Sequence, residues 1–312
     1  AITSEPVPDD SNYCAIPALR DLALQIGDDA SKGEPGARRE RLHKLALPAG
    51  GKARPRAARG AQFGVREDLD AMRDWLRSAG ATGGRAAGGD AAHEILSALS
   101  VHDALIGELA GGLERPDAQW TPQWRTRELP QMLFTVAMPH YSVTQSLGQL
   151  LALRATAAAR AGDATKAHES MRIIGKLAQA NGNDPFLIGL LVSVSQAATL
   201  ANAVWETCDA QCGTAADFAA LESTLAVLDY KRAALHAWRG ELAAGMGAMN
   251  YLKTADDGML ASIIANGGEP GSHRIANAIT GLLPDGWFDG NAAVIADRES
   301  HFLLRPLKEH GW

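Results

Sequence analysis

Nine histidines, 36 acidic side chains and three cysteines are the groups with which this 312-residue chain could do chemistry. Their spacing brings few of them together. His93 and His102 are nine residues apart, on opposite faces of a helix. His236 and Glu241 are five apart, about 140° round a helix, and do not converge. The acidic pairs Asp9-Asp10, Asp28-Asp29 and Asp256-Asp257 stand at element ends. Carboxylates there cap helices and complement their N-terminal charge, and that reading is preferred to acid–base work. The sequence holds no Walker loop, no GxGxxG turn after a strand, no GxSxG, no HExxH and no EF-hand loop. No CxxC and no Cys/His spacing suited to zinc occurs. No catalytic residue, metal or cofactor is therefore assigned. An enzyme built from distant parts of the chain stays open.

Two constellations are assigned structural roles. Cys208 and Cys212 lie four apart in ETCDAQCG, where a helix is expected to end. One turn of helix or a tight loop sets their Cα atoms ~6 Å apart, within bridging range. A disulfide between them is expected in an exported chain, and two free thiols in a reducing compartment. The second is Arg154 with Glu241. Arg154 lies between Leu147, Leu151 and Ala158 on one helix face. Glu241 adjoins a seam of Leu235, Trp238, Leu242, Gly245 and Met249 on another. A charge on each of two packing faces is costly unless paired, so the two are expected to meet as a buried ion pair that fixes helix register.

The elements that must position these groups are helices. The chain is 46% hydrophobic and 21% charged, enough apolar material for a sizeable core in a soluble chain. Only 5% is aromatic and Ala is abundant, which argues against an all-β protein. No Val/Ile runs mark a buried parallel sheet. Helices are expected over 15–27, 35–47, 65–79, 90–110, 139–161, 164–180, 185–208, 215–228, 231–253, 256–266, 272–282 and 289–307. Asp90, Thr214 and Asp229 stand at helix starts, Gly162-Asp163 breaks the pattern before residue 164, and Asp184-Pro185 reads as an N-cap followed by Pro at N1. The stretches 48–64 and 79–89 read as flexible loops, and 131–137 as a short strand or helix start. Trp120 and Trp124 are expected to cover a core edge. The fold class is all-α, a stack of antiparallel helical hairpins of the tetratricopeptide-like α-solenoid type. Residues 1–130 form a helical N-terminal part with basic loops, residues 131–312 the stack, and the two make one continuous globular unit.

Charge is uneven. From Lys32 to Arg66 there are ten basic and two acidic residues, whereas the remainder nets −14. Such a segment suits nucleic acid, anionic headgroups or an acidic polymer. Only Phe63 interrupts it, so it lacks the stacking aromatics of a single-strand binder, and no nucleic-acid partner is expected. The preferred reading is that it folds onto the chain's own acidic surface or stays solvated. The opening AITSEPVPDDSN is polar and reads like the stretch after a removed signal or an N-terminal anchor. Residues 186–205 carry no charge and are long enough to span a bilayer. Ser193, Ser195, Gln196, Thr199 and Asn202 favour instead a helix buried in a helical array, so no transmembrane span is expected.

Gly148 to Asn181 resembles one tetratricopeptide unit, with Leu151, Ala155, Ala158, Gly162-Asp163, Ala167 and Met171 at or near its small and apolar positions. A wider resemblance covers residues 140–300. It is carried by LLALRATAAARAGDATKAHESMRIIGKLAQANGNDPFLIGLLVSVS, then LAVLD, WRGELA and LLPDGWFDGN. This order of motifs resembles a family of uncharacterised α-helical envelope proteins of planctomycetes, verrucomicrobia and related bacteria. The resemblance implies a helical chain behind an N-terminal anchor or signal, at the periplasm, with no assigned activity and no catalytic residues to carry over; a cytoplasmic location is the alternative. The first 130 residues lie outside it. Two functions follow as expectations. One is a non-enzymatic interaction scaffold of the cell envelope with a protein partner. The other is an enzyme or small-ligand carrier with a pocket between helices.

Overall fold

Alanine-rich segments broken by Gly-Asp, Asn-Asp-Pro and Gly-Thr take the helical form, because Ala costs no side-chain entropy and the breaks supply caps. The computed structural model describes residues 6–23, 66–78, 90–120, 138–254, 285–298, 301 and 305–309. The helices are α1 (Pro17–Ala23), α2 (Leu69–Ser78), α3 (Ala91–Leu99), α4 (Asp103–Gly111), α5 (Pro139–Arg160), α6 (Ala164–Gly182), α7 (Leu187–Asp209), α8 (Ala215–Leu225), α9 (Tyr230–Thr254), α10 (Asp285–Arg298) and α11 (Arg305–Glu309). Among the described residues there is no strand, only an isolated bridge between Asn12 and Asp117. The protein is all-α. The helices expected at 35–47, 256–266 and 272–282, the loops 48–64 and 79–89, Trp124 and 131–137 lie outside the described residues.

The caps fall where the residue types put them. Asp90 accepts from the His93 amide and Asp163 from the Lys166 amide, each at 3.0 Å. Thr214 and Asp217 form a reciprocal capping box, and Asp229 accepts from the Arg232 amide at 2.9 Å. The helix expected over 90–110 is divided instead: a 3-10 turn at Ser100–His102 separates α3 from α4. Ile95, Leu99, Ile106 and Leu109 stay buried across the break.

Helices α5, α6 and α7 pack mutually, α8 and α4 lie on α6, α9 on α7, α3 on α5, and α10 on α9. One apolar core runs from Tyr13 to Leu221 through all of these but α9 and α10. Leu147, Leu150, Leu151, Ile173, Ile174 and Leu177 are its centre and are fully buried. A buried acid anchors α2's entry. Glu206, 1% exposed, accepts from Arg160 at 2.7 Å and from the Glu67 amide. Asp209 beside it takes Arg160 and Arg66, both at 2.8 Å. Arg66 closes the basic segment, and the rest of that segment lies outside the described residues. Its last residue thus pairs with Asp209.

Helix α7 is long and apolar enough to cross a membrane by length and composition. Here it packs against α5, α6 and α9, burying Val192, Ser193, Gln196, Leu200, Ala203 and Glu206, while Ile188, Leu191 and Val194 are exposed. The expected seam of α9 is displaced. Ala234, Ala237 and Gly240 are its buried residues, whereas Leu235, Trp238, Leu242 and Met249 are only partly covered. Small side chains let α9 approach α7 closely, and Gly245 of the expected seam faces Ile295 of α10 instead.

Candidate functional site

The polar groups converge where α6 turns into α7. Helix α6 ends at Gly182, Asn183 caps it, and Asp184, Pro185 and Phe186 cross to α7. Asp184 is not the N-cap that Asp-Pro suggests. Phe186 holds that position with no side-chain cap, and the Leu187 amide donates instead to Glu241 of α9, at 3.0 Å. The Asp184 carboxylate turns inward to His140 Nε2 at 2.7 Å, and both side chains are buried. His140 is tilted against Trp120 and Tyr141, with ring centroids 5.1 and 3.9 Å away. Burial, and then the Asp184 charge, hold the Tyr141 hydroxyl far above its ordinary pKa, so it stays protonated.

Around this pair a buried network joins three helices to the 116–120 segment. Asn181 Nδ2 donates to Thr144 Oγ1 at 3.0 Å and to Gln196 Oε1 at 2.9 Å, and Asn181 Oδ1 accepts from Trp120 Nε1 at 3.1 Å. Gln196 Nε2 donates to the Thr144 carbonyl at 3.0 Å. Such networks specify one packing when their groups are paired. Two glycines permit the close approach. A Cβ on Gly189 would lie 2.8 Å from the Asn181 carbonyl oxygen, and one on Gly240 would land on the Pro185 carbonyl oxygen.

Beside the corner lies an open cleft of about 960 Å³. One wall is the segment 116–119, held by Lys176 Nζ on the Arg115 and Pro116 carbonyls at 2.7 and 3.1 Å and by Asn183 Nδ2 on the Ala118 carbonyl at 2.8 Å. The end of α6 forms its floor. The other wall is the linker 227–229 with the first turns of α9, which present Tyr230, Arg232, His236 and Arg239. The Tyr230 hydroxyl donates to the Ser193 carbonyl at 3.3 Å. Burial holds His236 below the usual imidazole pKa. Asp184 opposes this shift, and Arg232 and Arg239 add to it.

Comparison with protein-family models, with curated proteins and with solved structures finds no match to this chain. The site is therefore read from its own residues.

Arg154 and Glu241 are not brought together. Arg154 lies near the C-terminal end of α5, beside the start of α6. It donates to Ser170 Oγ at 2.7 Å, to Glu169 at 3.1 Å and to the Lys166 carbonyl at 3.3 Å. Glu241 caps α7 beyond the other end of α6, whose 19 residues span about 28 Å. Both charges are satisfied, by different partners. Cys208 and Cys212 are likewise unbridged. Gln211 takes a left-handed φ of 53°, and the Cys212 amide donates to the Thr207 carbonyl at 3.1 Å. This turn buries Cys212 against Ala158, Ala159 and Ala167 while Cys208 stays exposed. Burial, then Asp163 and Asp217, push the Cys212 thiol up, and burial, then Asp184, push Cys14 up further. Three thiols are therefore expected in unfolded, non-reduced protein. In the native state only Cys208 should react quickly with a disulfide reagent. A count of one would restore the bridge.

The His140–Asp184 pair is invisible to local spacing, because its members are 44 residues apart and both read as helix-start residues. Arg232, His236 and Arg239 stand at i, i+4 and i+7, a spacing that the sequence does display. Among the described residues no group of three His, Cys, Asp or Glu side chains could hold a metal ion.

Proposed function

We propose that the chain is a non-enzymatic interaction protein of the bacterial cell envelope that receives a protein partner in the cleft between the α6–α7 corner and α9. A contrast within the site carries this reading. The histidine–carboxylate pair and Tyr141 are sealed in the core and committed to holding α5 on the corner. The concavity that reaches solvent presents instead the arginines of α9. A tetratricopeptide-like stack is the finer architecture we propose. It is supported by the tight α5–α6 connection through Gly162, at φ 77°, and by the mutual packing of α5, α6 and α7. The periplasmic setting, free or anchored, rests on the resemblance to helical envelope proteins. Helix α7 serves the array rather than a bilayer, since its inner face carries Ser193, Gln196 and Glu206.

A cleft of this volume also sits at the upper end of small-molecule pockets, which is the observation favouring a ligand carrier. Hydrogen exchange on the purified chain, with and without an envelope extract split at about 1 kDa, separates the two. The expected result is protection of 116–119 and 230–239 by the large fraction. Protection by the small fraction alone would transfer the reading to a ligand carrier.

A further inference from the structure

We propose that Arg232 and Arg239 form a carboxylate-recognition site in the cleft, taking two acidic side chains of an extended segment of a partner protein. This deepens the interaction reading above and rests on it.

The chain is acidic overall, with 36 acidic against 30 basic side chains, and most of its described arginines find an acid. Arg66, Arg73, Arg77, Arg154, Arg160, Arg172 and Arg305 each meet a carboxylate, Arg115 is taken by the Asp9 and Asn12 carbonyls, and Arg20 and Arg298, which meet no carboxylate among the described residues, lie away from the cleft. Arg232 and Arg239 meet none among the described residues, although Asp229 is three residues from Arg232. The Asp229 carboxylate is taken by the Arg232 backbone amide as a helix cap. The two arginines are seven apart on α9, within about 20° of the same direction and about 10.5 Å along the axis. Both line the cleft and both are exposed. Guanidinium groups present a fork of donors that matches a carboxylate.

The surroundings add shape. His236 lies between the two arginines, and burial keeps it from charging readily, so the cation density of this wall is that of Arg232 and Arg239 with Lys231 at the rim. The facing wall of 116–119 is tied down by Lys176, Asn183 and Asn12, whose Nδ2 donates to the Gln119 carbonyl at 2.8 Å. The site is thus a slot with Arg232 and Arg239, and Lys231 beside them, on one side, none of which meets a carboxylate among the described residues. Side chains two residues apart on one face of an extended peptide are about 6.8 Å apart, and those four apart about twice that. The arginine spacing falls between these, within reach of two flexible side chains. Asp117 and Lys231 at the rim are exposed and oppose each other in sign.

The test is fluorescence anisotropy with a fluorescein-labelled decapeptide of alternating Glu and Ala, on the full chain at low and physiological salt. Binding is expected, weakening as salt rises. Arg232→Ala and Arg239→Ala should each weaken it roughly tenfold or more, and Arg232→Glu should abolish it. Circular dichroism should be unchanged in all three, since the side chains are exposed. A matching Lys/Ala peptide should not bind. No binding of the acidic peptide, or equal binding by the Arg232→Ala/Arg239→Ala double variant, overturns the site. Equally tight, arginine-dependent binding of inorganic phosphate or of phosphatidylserine vesicles overturns the peptide assignment. The interaction reading fails separately. Protection of 230–239 by the large envelope fraction that persists in the double variant leaves that reading standing and removes this site from it.

Discussion

Replacing Gly240 with alanine is expected to destabilise the chain by about 2–3 kcal/mol, lowering the thermal midpoint by about 3–5 °C. The ordinary expectation has the opposite sign, because alanine in a helix is favoured over glycine by about 1 kcal/mol. Geometry decides against it. The new methyl group would land on the Pro185 carbonyl oxygen, a backbone atom that no rotamer change can move. Helix α9 must therefore withdraw from the corner. Withdrawal lengthens the bond from the Leu187 amide to Glu241, now 3.0 Å, and strips α7 of its cap, which costs about 1 kcal/mol. It also loosens Ala234 and Ala237, which are buried on the same helix. Gly107 on α4 is the control. Nothing lies within 4 Å of a Cβ there, so Gly107→Ala should stabilise by up to about 1 kcal/mol. Urea titrations of both variants give the two signs. Stabilisation by both would show that α9 does not seat on Pro185.

What the sequence discloses about this fold is local. Helix starts at Ala91, Ala164, Ala215 and Tyr230 follow from Asp90, Asp163, Thr214 and Asp229, whose side chains satisfy amides within their own first turn. The partner of a charge is a different matter. That Arg154 would be buried is readable from Leu147, Leu151 and Ala158 around it. That Ser170 and Glu169 would receive it depends on how α6 folds back after Gly162. Asp184 shows the limit most plainly. Asp followed by Pro is a strong helix-start pattern, yet a histidine 44 residues upstream takes the carboxylate, and the capping passes to Glu241, 57 residues downstream. The cleft has the same origin. Its arginines share a helix face by spacing, but the wall opposite comes from residues 116–119, and no periodicity relates the two.

Cutting the buried pair should be the most damaging single change. Asp184→Leu and His140→Leu are each expected to cost about 3–5 kcal/mol, whereas the double variant should cost much less than their sum. Removing Asp184 strands the His140 Nε2 position in a pocket closed by Trp120 and Tyr141, and His140 Nδ1 there is already buried with no partner among the described residues. Removing His140 leaves a carboxylate 6% exposed beneath Pro185, in the company of the protonated Tyr141 hydroxyl. Either stranded group pays its own desolvation, which is what makes half a buried pair worse than none. Replacing both with apolar side chains removes both penalties and leaves a packing change of ordinary size. The coupling measured by urea unfolding of the four proteins should therefore exceed about 2 kcal/mol, well above the ~0.5 kcal/mol scatter of independent sites. The Asn181–Thr144–Gln196 network lies on the same corner and is untouched by either change, so the far-UV spectrum of the double variant should stay helical. Additive losses would mean that His140 and Asp184 are held by their separate surroundings and that the corner does not depend on their contact.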